Sequence, residues 1–458
     1  MFVGRHELLK RLEGLYNSGK FECAIIYGRF RVGKTALVRE FIKGKRALYF
    51  SAGETSDREN FDSLLRNISA FSDNSEYETA QTGDFMEAAE QIHELSQTQR
   101  LILVIDDYHF LPGAKRDISK LICDRIDNLW KDGQLMLVIC GSSEPLMESE
   151  TLSHNSPFHG RRTAQLKVEP FTFFETKRFY EKFSPFDVAV VYGITGGIPK
   201  YINLMNPSLP IEENIKRTFF DSASVLFEET ANFLRREVRD PTLYNAVLRA
   251  LANGKTKNSE IASAVGLETS ACTAYLKNLM SFGIVEKHTP VTEKAGKKTI
   301  YEIEDSMFRF WYRFVPDNIS QIKIGQLDKF WRKVANGIPA FMLTVFEDIC
   351  RQWIEHRNAD GRLPVNFVEV GRWWGADPIS KSDMRIPIIA YADDDHALFG
   401  DCAWQDEPAG VEALVSLEER SRLFRFKNRY LFLFSRSGFT DECAHTAGRF
   451  GANLVVFK

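Results

Sequence analysis

Residues 28–37 read GRFRVGKTAL, and the reading of the fold starts there. Gly28 and Gly33 bracket four residues, and Lys34 and Thr35 follow the second glycine at once. Residues 24–27 upstream are short, apolar and partly β-branched, which suits a buried strand. ALVREFIK downstream carries apolar residues at helical spacing. Strand, glycine loop and helix in that order predict a phosphate-binding loop. Gly28 and Gly33 would permit the turn that aims successive backbone N–H groups at phosphate oxygens, with Arg31 and Ala36 beside them. The helix would add its positive N-terminal dipole, Lys34 would reach the β- and γ-phosphates, and Thr35 would ligate magnesium.

Such a loop needs an acidic residue at the end of a second buried strand. LILVIDD at 101–107 supplies Asp106, placed to hold magnesium, and Asp107, placed to polarise the attacking water. A Glu often does that second task, and Asp is one methylene shorter, so slow turnover is expected. A third strand-like run, LMLVICGSS at 135–143, ends in Ser142 and Ser143, either of which could sense the γ-phosphate. Arg161 or Arg162, after FHG, could neutralise developing charge in cis or across an oligomer; a surface turn has the same composition.

A chain of 458 residues is too long for one core and suggests about three domains. With 44% hydrophobic and 26% charged residues it has an ordinary globular composition. The net charge of −3 excludes a molecule that is basic all over, so any nucleic-acid surface must be local. Seven scattered cysteines without a CxxC pair indicate neither a disulfide framework nor a zinc ribbon. The opening MFVGRHELLK has no signal-peptide pattern, and the longest apolar runs are strand-length. A cytoplasmic protein without a membrane span is the expectation.

Six motifs in order carry a resemblance: FVGRHELL, GRFRVGKTAL, LILVIDD, ICGSS, HGRR and GGIPKYI (196–202). Over roughly the first 240 residues the chain resembles the archaeal-type ATPases of archaea and bacteria, on the signal-transduction (STAND) side of the AAA-like P-loop proteins. The resemblance implies that ATP and Mg2+ are the ligands. It implies further that Val3, Gly4 and Arg5 line the adenine pocket, and that Arg161 is the arginine of a "GR" box. Pro199 would cap the adenine from a lid, so that lid position reports the nucleotide. From the residues alone, GGIP is only a tight turn before a helix.

Residues 211–240 read as a helical lid or linker. Residues 241–305 show three helical patterns and then two strand-like runs around Gly296, the order of a winged helix-turn-helix. Ile261, Ala262, Val265, Leu276 and Leu279 are its core candidates. If it reads double-stranded DNA, Thr269, Ser270, Thr273 and Lys277 would face the major groove, and Lys294, Lys297 and Lys298 on the wing would meet phosphate. With only Lys277 basic on the recognition helix, protein docking is the competing role. SMFRFWYRFVPDN then reads as an aromatic linker within 306–325.

Beyond it come LTVFEDICRQWI, a helix bearing Glu347, then FVEVGRWWG and RIPIIAYADDDHALFGDCAW, which reads as a β-hairpin. The run from Asp393 to His396 is read as a polar hairpin tip rather than a metal site. GRWWG, the hairpin and LFLFSRSGF make residues 326–458 similar to a C-terminal domain of unknown function assigned to the PD-(D/E)XK nuclease superfamily. Such nucleases use a helix Glu, a strand Asp and a Glu/Asp-x-Lys on the next strand, whose carboxylates hold magnesium. Here Glu347 is the helix Glu, Pro387 stands in place of the metal-binding Asp, Asp401 remains, and Ala403 stands in place of the Lys. Lys381 is a displaced substitute at best. The expectation is a kept fold with lost chemistry.

The sequence thus predicts an α/β protein: a P-loop ATPase core with a parallel sheet (1–210), a helical lid (211–240), a winged helix (241–305), the aromatic linker and a restriction-endonuclease-like α/β domain. The expected function is a slow ATP-driven switch that positions the last two modules on DNA. An ATP-regulated nuclease and a signalling scaffold that binds only proteins, or itself, are the alternatives.

Overall fold

The computed structural model describes residues 2–72, 84–111, 117–142, 144–180, 182–291, 298–377 and 381–457. The chain divides into two compact units: residues 1–171 with 198–200, and residues 172–197 with 201–458.

The first unit is built on five parallel strands: β1 (Glu22–Tyr27), β2 (Ala47–Ser51), β3 (Leu101–Asp106), β4 (Leu135–Gly141) and β5 (Ala164–Lys167), in the order β2-β3-β4-β1-β5. β3 and β4 are buried at every position, as expected of central strands covered on both faces. One face carries Leu103, Ile105, Leu137 and Ile139 into a core with Phe61, Ile92, Tyr108 and Trp130. All five strands run the same way, so the residues that follow β1, β3 and β4 meet at one end of the sheet. That end is where open α/β sheets bind ligands.

The second unit begins with the helices Phe173–Lys177 and Pro185–Thr195. The 211–240 segment forms two helices, Ile211–Phe219 and Val225–Glu237, the second capped by the Ser224 hydroxyl, which accepts from the Phe227 N–H at 3.3 Å. The winged helix follows: Thr242–Ala252, Asn258–Val265 and Thr269–Ser281, then β6 (Val285–His288) antiparallel to β7 (Ile300–Ile303). Ile261, Ala262, Leu276 and Leu279 are buried in it, while Val265, read as core, is only half-buried beside the helix-ending Gly266. The aromatic linker is a helix, Ser306–Phe314. Met307, Phe308, Phe310, Trp311, Tyr312 and Phe314 are all buried, while Arg313 is exposed, so the helix is amphipathic with a wide aromatic face.

The C-terminal sheet holds β8 (Glu369–Ala376), β9 (Asp383–Tyr391), β10 (His396–Ala403), β11 (Asn428–Ser435) and β12 (Asn453–Val456), in the order β12-β11-β10-β9-β8. β8, β9 and β10 pair antiparallel, and β10, β11 and β12 pair parallel. The expected hairpin is β9–β10. At its tip the Asp393 carboxylate accepts from the N–H groups of Asp395 and His396, both at 2.8 Å, and so closes the turn. The helix bearing Glu347 is 32 residues long, Asp328–Ala359, with Pro339 inside it.

Candidate nucleotide-binding site

The loop between β1 and the Lys34–Phe41 helix turns through three left-handed or near-left-handed residues: Gly28 (φ 145°), Arg31 (φ 69°) and Gly33 (φ 96°). Gly28 has a second constraint, since a Cβ there would fall 2.3 Å from the Val168 carbonyl oxygen. Only glycine meets both conditions. Lys34 is 5% exposed, and its ammonium donates to the carbonyls of Gly28 (2.8 Å) and Arg29 (2.7 Å) across the loop. Ala36, one residue into the helix beyond Thr35, is exposed.

Asp106 ends β3 and is 2% exposed, so every acceptor on its carboxylate needs a donor. Oδ2 accepts from the Thr35 hydroxyl at 2.8 Å and from the Tyr49 hydroxyl at 2.6 Å, and Oδ1 accepts from the Asp107 N–H at 2.9 Å. Thr35 and Asp106, 71 residues apart in sequence, are thereby joined at the end of the sheet. Asp107 adopts a left-handed conformation (φ 54°), half-buried, and accepts from the Ser51 hydroxyl at 3.3 Å. Burial, and then the charge of Asp106, push its carboxyl above the ordinary aspartate range. Ser142 follows β4 at the same end, and its N–H donates to His109 Nδ1 at 3.4 Å. Ser143 lies outside the described residues.

The N-terminal segment reaches the same region. Gly4 is buried and Val3 half-buried. Arg5 donates to the carbonyls of Val32 (3.4 Å) and Glu169, and its guanidinium stacks over Phe171 at 4.2 Å. Pro199 also belongs to this unit, its Cγ 3.7 Å from where a Cβ on Gly33 would sit.

Arg161 is not brought to the loop. It precedes β5, whose first residue pairs with Ala24 near the start of β1, so it sits at the opposite end of the parallel sheet from the residues after Tyr27. Its guanidinium there engages Asp127, with Nε at 3.0 Å from both carboxylate oxygens. A charge-neutralising role in cis is therefore corrected by the topology. Arg162 is likewise engaged, donating to the carbonyls of Thr151 (3.0 Å) and Leu152 (2.7 Å).

In the winged helix, Thr269, Ser270 and Lys277 are exposed on one helix. Thr273 is half-buried, its hydroxyl accepting from Asn258 at 2.8 Å and donating to the Thr269 carbonyl at 2.8 Å, so it fastens the helix start. Lys294 and Lys297 lie outside the described residues. Lys298 is exposed. Its carbonyl accepts from the Trp374 indole at 3.0 Å and its ammonium lies 5.1 Å from the Trp373 ring, so it is held on β8.

Glu347, on the long helix, and Asp401, on β10, each lie against an arginine: Arg385 on Glu347, Arg420 on Asp401. Arg420 also donates to the Arg385 carbonyl at 2.8 Å. Burial raises the Glu347 carboxyl above its ordinary range, with Arg385 and Arg351 opposing. Pro387 sits where the β8–β9 register shifts, and its carbonyl accepts from Arg351 at 2.9 Å. Ala403 closes β10, and Lys381 is exposed in the loop before β9. Sequence reasoning missed Tyr49, Ser51 and His109 as site residues: ALYFS reads only as a strand, and nothing local marks its tyrosine as a partner of Asp106.

Residues 2–205 match the model of an ATPase domain predominantly from Archaea, residues 244–286 that of a winged helix-turn-helix described as DNA-binding, and residues 311–420 that of archaeal and bacterial proteins of unknown function. An uncharacterized protein of Methanocaldococcus jannaschii is 29% identical over 416 residues, 89% of this chain and 88% of its own. An uncharacterized ATP-binding protein of the same organism is 48% identical over 46 residues, 10% of this chain and 78% of its own. Among solved structures, a Walker-type ATPase of Pyrococcus abyssi aligns with a TM-score of 0.55 at 19% identity, covering 68% of this chain and 96% of its own. The chain therefore carries a P-loop ATPase fold and a winged helix-turn-helix, followed by a separate α/β sheet domain. Among the described residues no helix is long and apolar enough to cross a membrane.

Proposed function

We propose that this chain is a cytoplasmic, slowly hydrolysing ATPase that works as a nucleotide-dependent switch, setting the placement of its winged helix and C-terminal α/β module on double-stranded DNA. The observation that carries the reading is the junction of Thr35 and Asp106 at 2.8 Å beside the Gly28–Gly33 loop and Lys34. Thr35 and Asp106 would hold Mg2+, which offsets phosphate charge when bound. The hydroxyl and carboxylate donor set, buried and joined, fits a hard divalent cation. Lys34 would bind the β- and γ-phosphates, Asp107 would take up the proton of the attacking water, and Ser142 would contact the terminal phosphate. Val3, Gly4, Arg5 and Pro199 would enclose the base. The γ-phosphate supplies the differential contact that a switch requires.

DNA contact is assigned to Thr269, Ser270 and Lys277, whose exposure on one helix supports the reading together with the winged-helix match. The C-terminal module is read as nuclease-like with its chemistry lost. Both carboxylates that would gather a metal ion face arginines instead, and Pro387 and Ala403 supply neither a carboxylate nor an amine.

The test is steady-state ATP hydrolysis with and without duplex DNA, with Lys34→Ala as the blank. A slow Lys34-dependent rate that DNA raises several-fold is expected. A rate that DNA leaves unchanged would remove DNA from the reading and favour a protein-docking role for the winged helix. Magnesium-dependent nicking of the DNA would overturn the loss of nuclease chemistry.

A further inference from the structure

β2 contributes a residue to the hydrolytic site that no motif marks. β2 and β3 pair in parallel with Tyr49 opposite Val104 and Ser51 opposite Asp106. Residues paired in register share a face of the sheet, and so do residues two apart on one strand. Tyr49 and Ser51 therefore lie on the face that carries Asp106. The phenol is long enough to span the two-residue offset, and its oxygen lies 2.6 Å from Asp106 Oδ2, the oxygen that also receives the Thr35 hydroxyl.

We propose that Tyr49 is a positioning residue for the metal-dependent step: its hydroxyl fixes the Asp106 carboxylate so that the Thr35 oxygen is presented to Mg2+. The proposal rests on the ATPase reading above. Its physical content is a count of donors. With the Asp107 N–H on Oδ1 and two hydroxyls on Oδ2, Asp106 has a single orientation that satisfies all three. Without the Tyr49 hydroxyl, Oδ2 keeps only Thr35, the carboxylate can turn about its terminal torsion, and the Thr35 oxygen turns with it. A purely structural role is a poor fit, since the ring is only half-buried, with the Arg39 guanidinium over it 5.9 Å from its centroid.

The experiment is a magnesium titration of ATP hydrolysis by wild type and Tyr49→Phe, paired with ATP binding in EDTA. Phe retains the ring, and a thermal melt confirms that the variant is folded. The free Mg2+ giving half-maximal rate should rise roughly tenfold or more in Tyr49→Phe, while metal-free ATP affinity stays within about twofold. In an Asp106→Asn background, Tyr49→Phe should add almost nothing to the magnesium-dependent gain in ATP affinity, because its effect runs through that carboxylate. An unchanged magnesium midpoint overturns the proposal, as does an equal loss of metal-free binding. Wild type without Lys34-dependent turnover would instead overturn the ATPase reading, and the role of Tyr49 with it.

Discussion

On the proposed reading, Asp107 sets the rate of hydrolysis. Burial and the adjacent Asp106 raise its carboxyl above the ordinary range, so it takes up a proton at a higher pH than a solvent-exposed aspartate does. A base must be ionised to act. Turnover should therefore fall as pH is lowered, with its acid midpoint above that of a free aspartate, and Asp107→Asn should abolish turnover while leaving ATP binding intact. A pH–rate profile with no acid limb would contradict this assignment. Asp107→Glu, one methylene longer, should raise the rate above wild type, and a slower variant would show that reach is not the limit. The loop residues were legible one by one: Gly28, Gly33, Lys34, Thr35 and Asp106 meet where their spacing requires. Tyr49 and His109 were not, since a hydroxyl or imidazole matters here through a partner on a neighbouring strand and not through its sequence neighbours.

At the scale of elements, two carboxylates of the C-terminal domain, Glu347 and Asp401, face arginines. Glu347 is 4% exposed and Arg385 is 54% exposed, so the pair is half in solvent and weaker than a fully buried one. Arg385→Ala should still cost roughly 1–3 kcal/mol, because it leaves a buried carboxylate without its charge partner. Glu347→Gln in the same background should recover most of that loss, as read from denaturant midpoints. If the double variant is as unstable as Arg385→Ala, the packing of the guanidinium, and not its charge, holds the sheet. The aromatic run at 306–314 illustrates a limit of reading elements from sequence. MFRFWYRF has β-prone residues at nearly every position, and burial of a wide aromatic face, with Arg313 left exposed, makes it a helix.

For the whole molecule, Mg-ATP that binds only the folded chain should raise stability by about 2.7 kcal/mol at a hundredfold excess over its Kd. The gain should vanish in Lys34→Ala, and a melt followed with and without nucleotide checks both. The net charge of −3 means that any affinity for DNA comes from a local surface. Retention on duplex DNA should fall steeply with salt if that surface neutralises phosphates.

The sequence alone determined the order of strand, loop and helix, the acidic strand end, and the three helices and hairpin of the winged module, together with the proline at 387 and the alanine at 403. These are local facts: a glycine that must take a positive φ, an apolar run that must be buried, a side chain that is simply absent. Only the tertiary structure decided where the long-range partners lie. It sent Arg161 to the far end of the sheet, laid Lys298 on an indole, set arginines against Glu347 and Asp401, and brought the Tyr49 hydroxyl onto Asp106. Each of those outcomes depends on strand order and register, which bring together residues tens of positions apart, and no short-range pattern in the sequence records them.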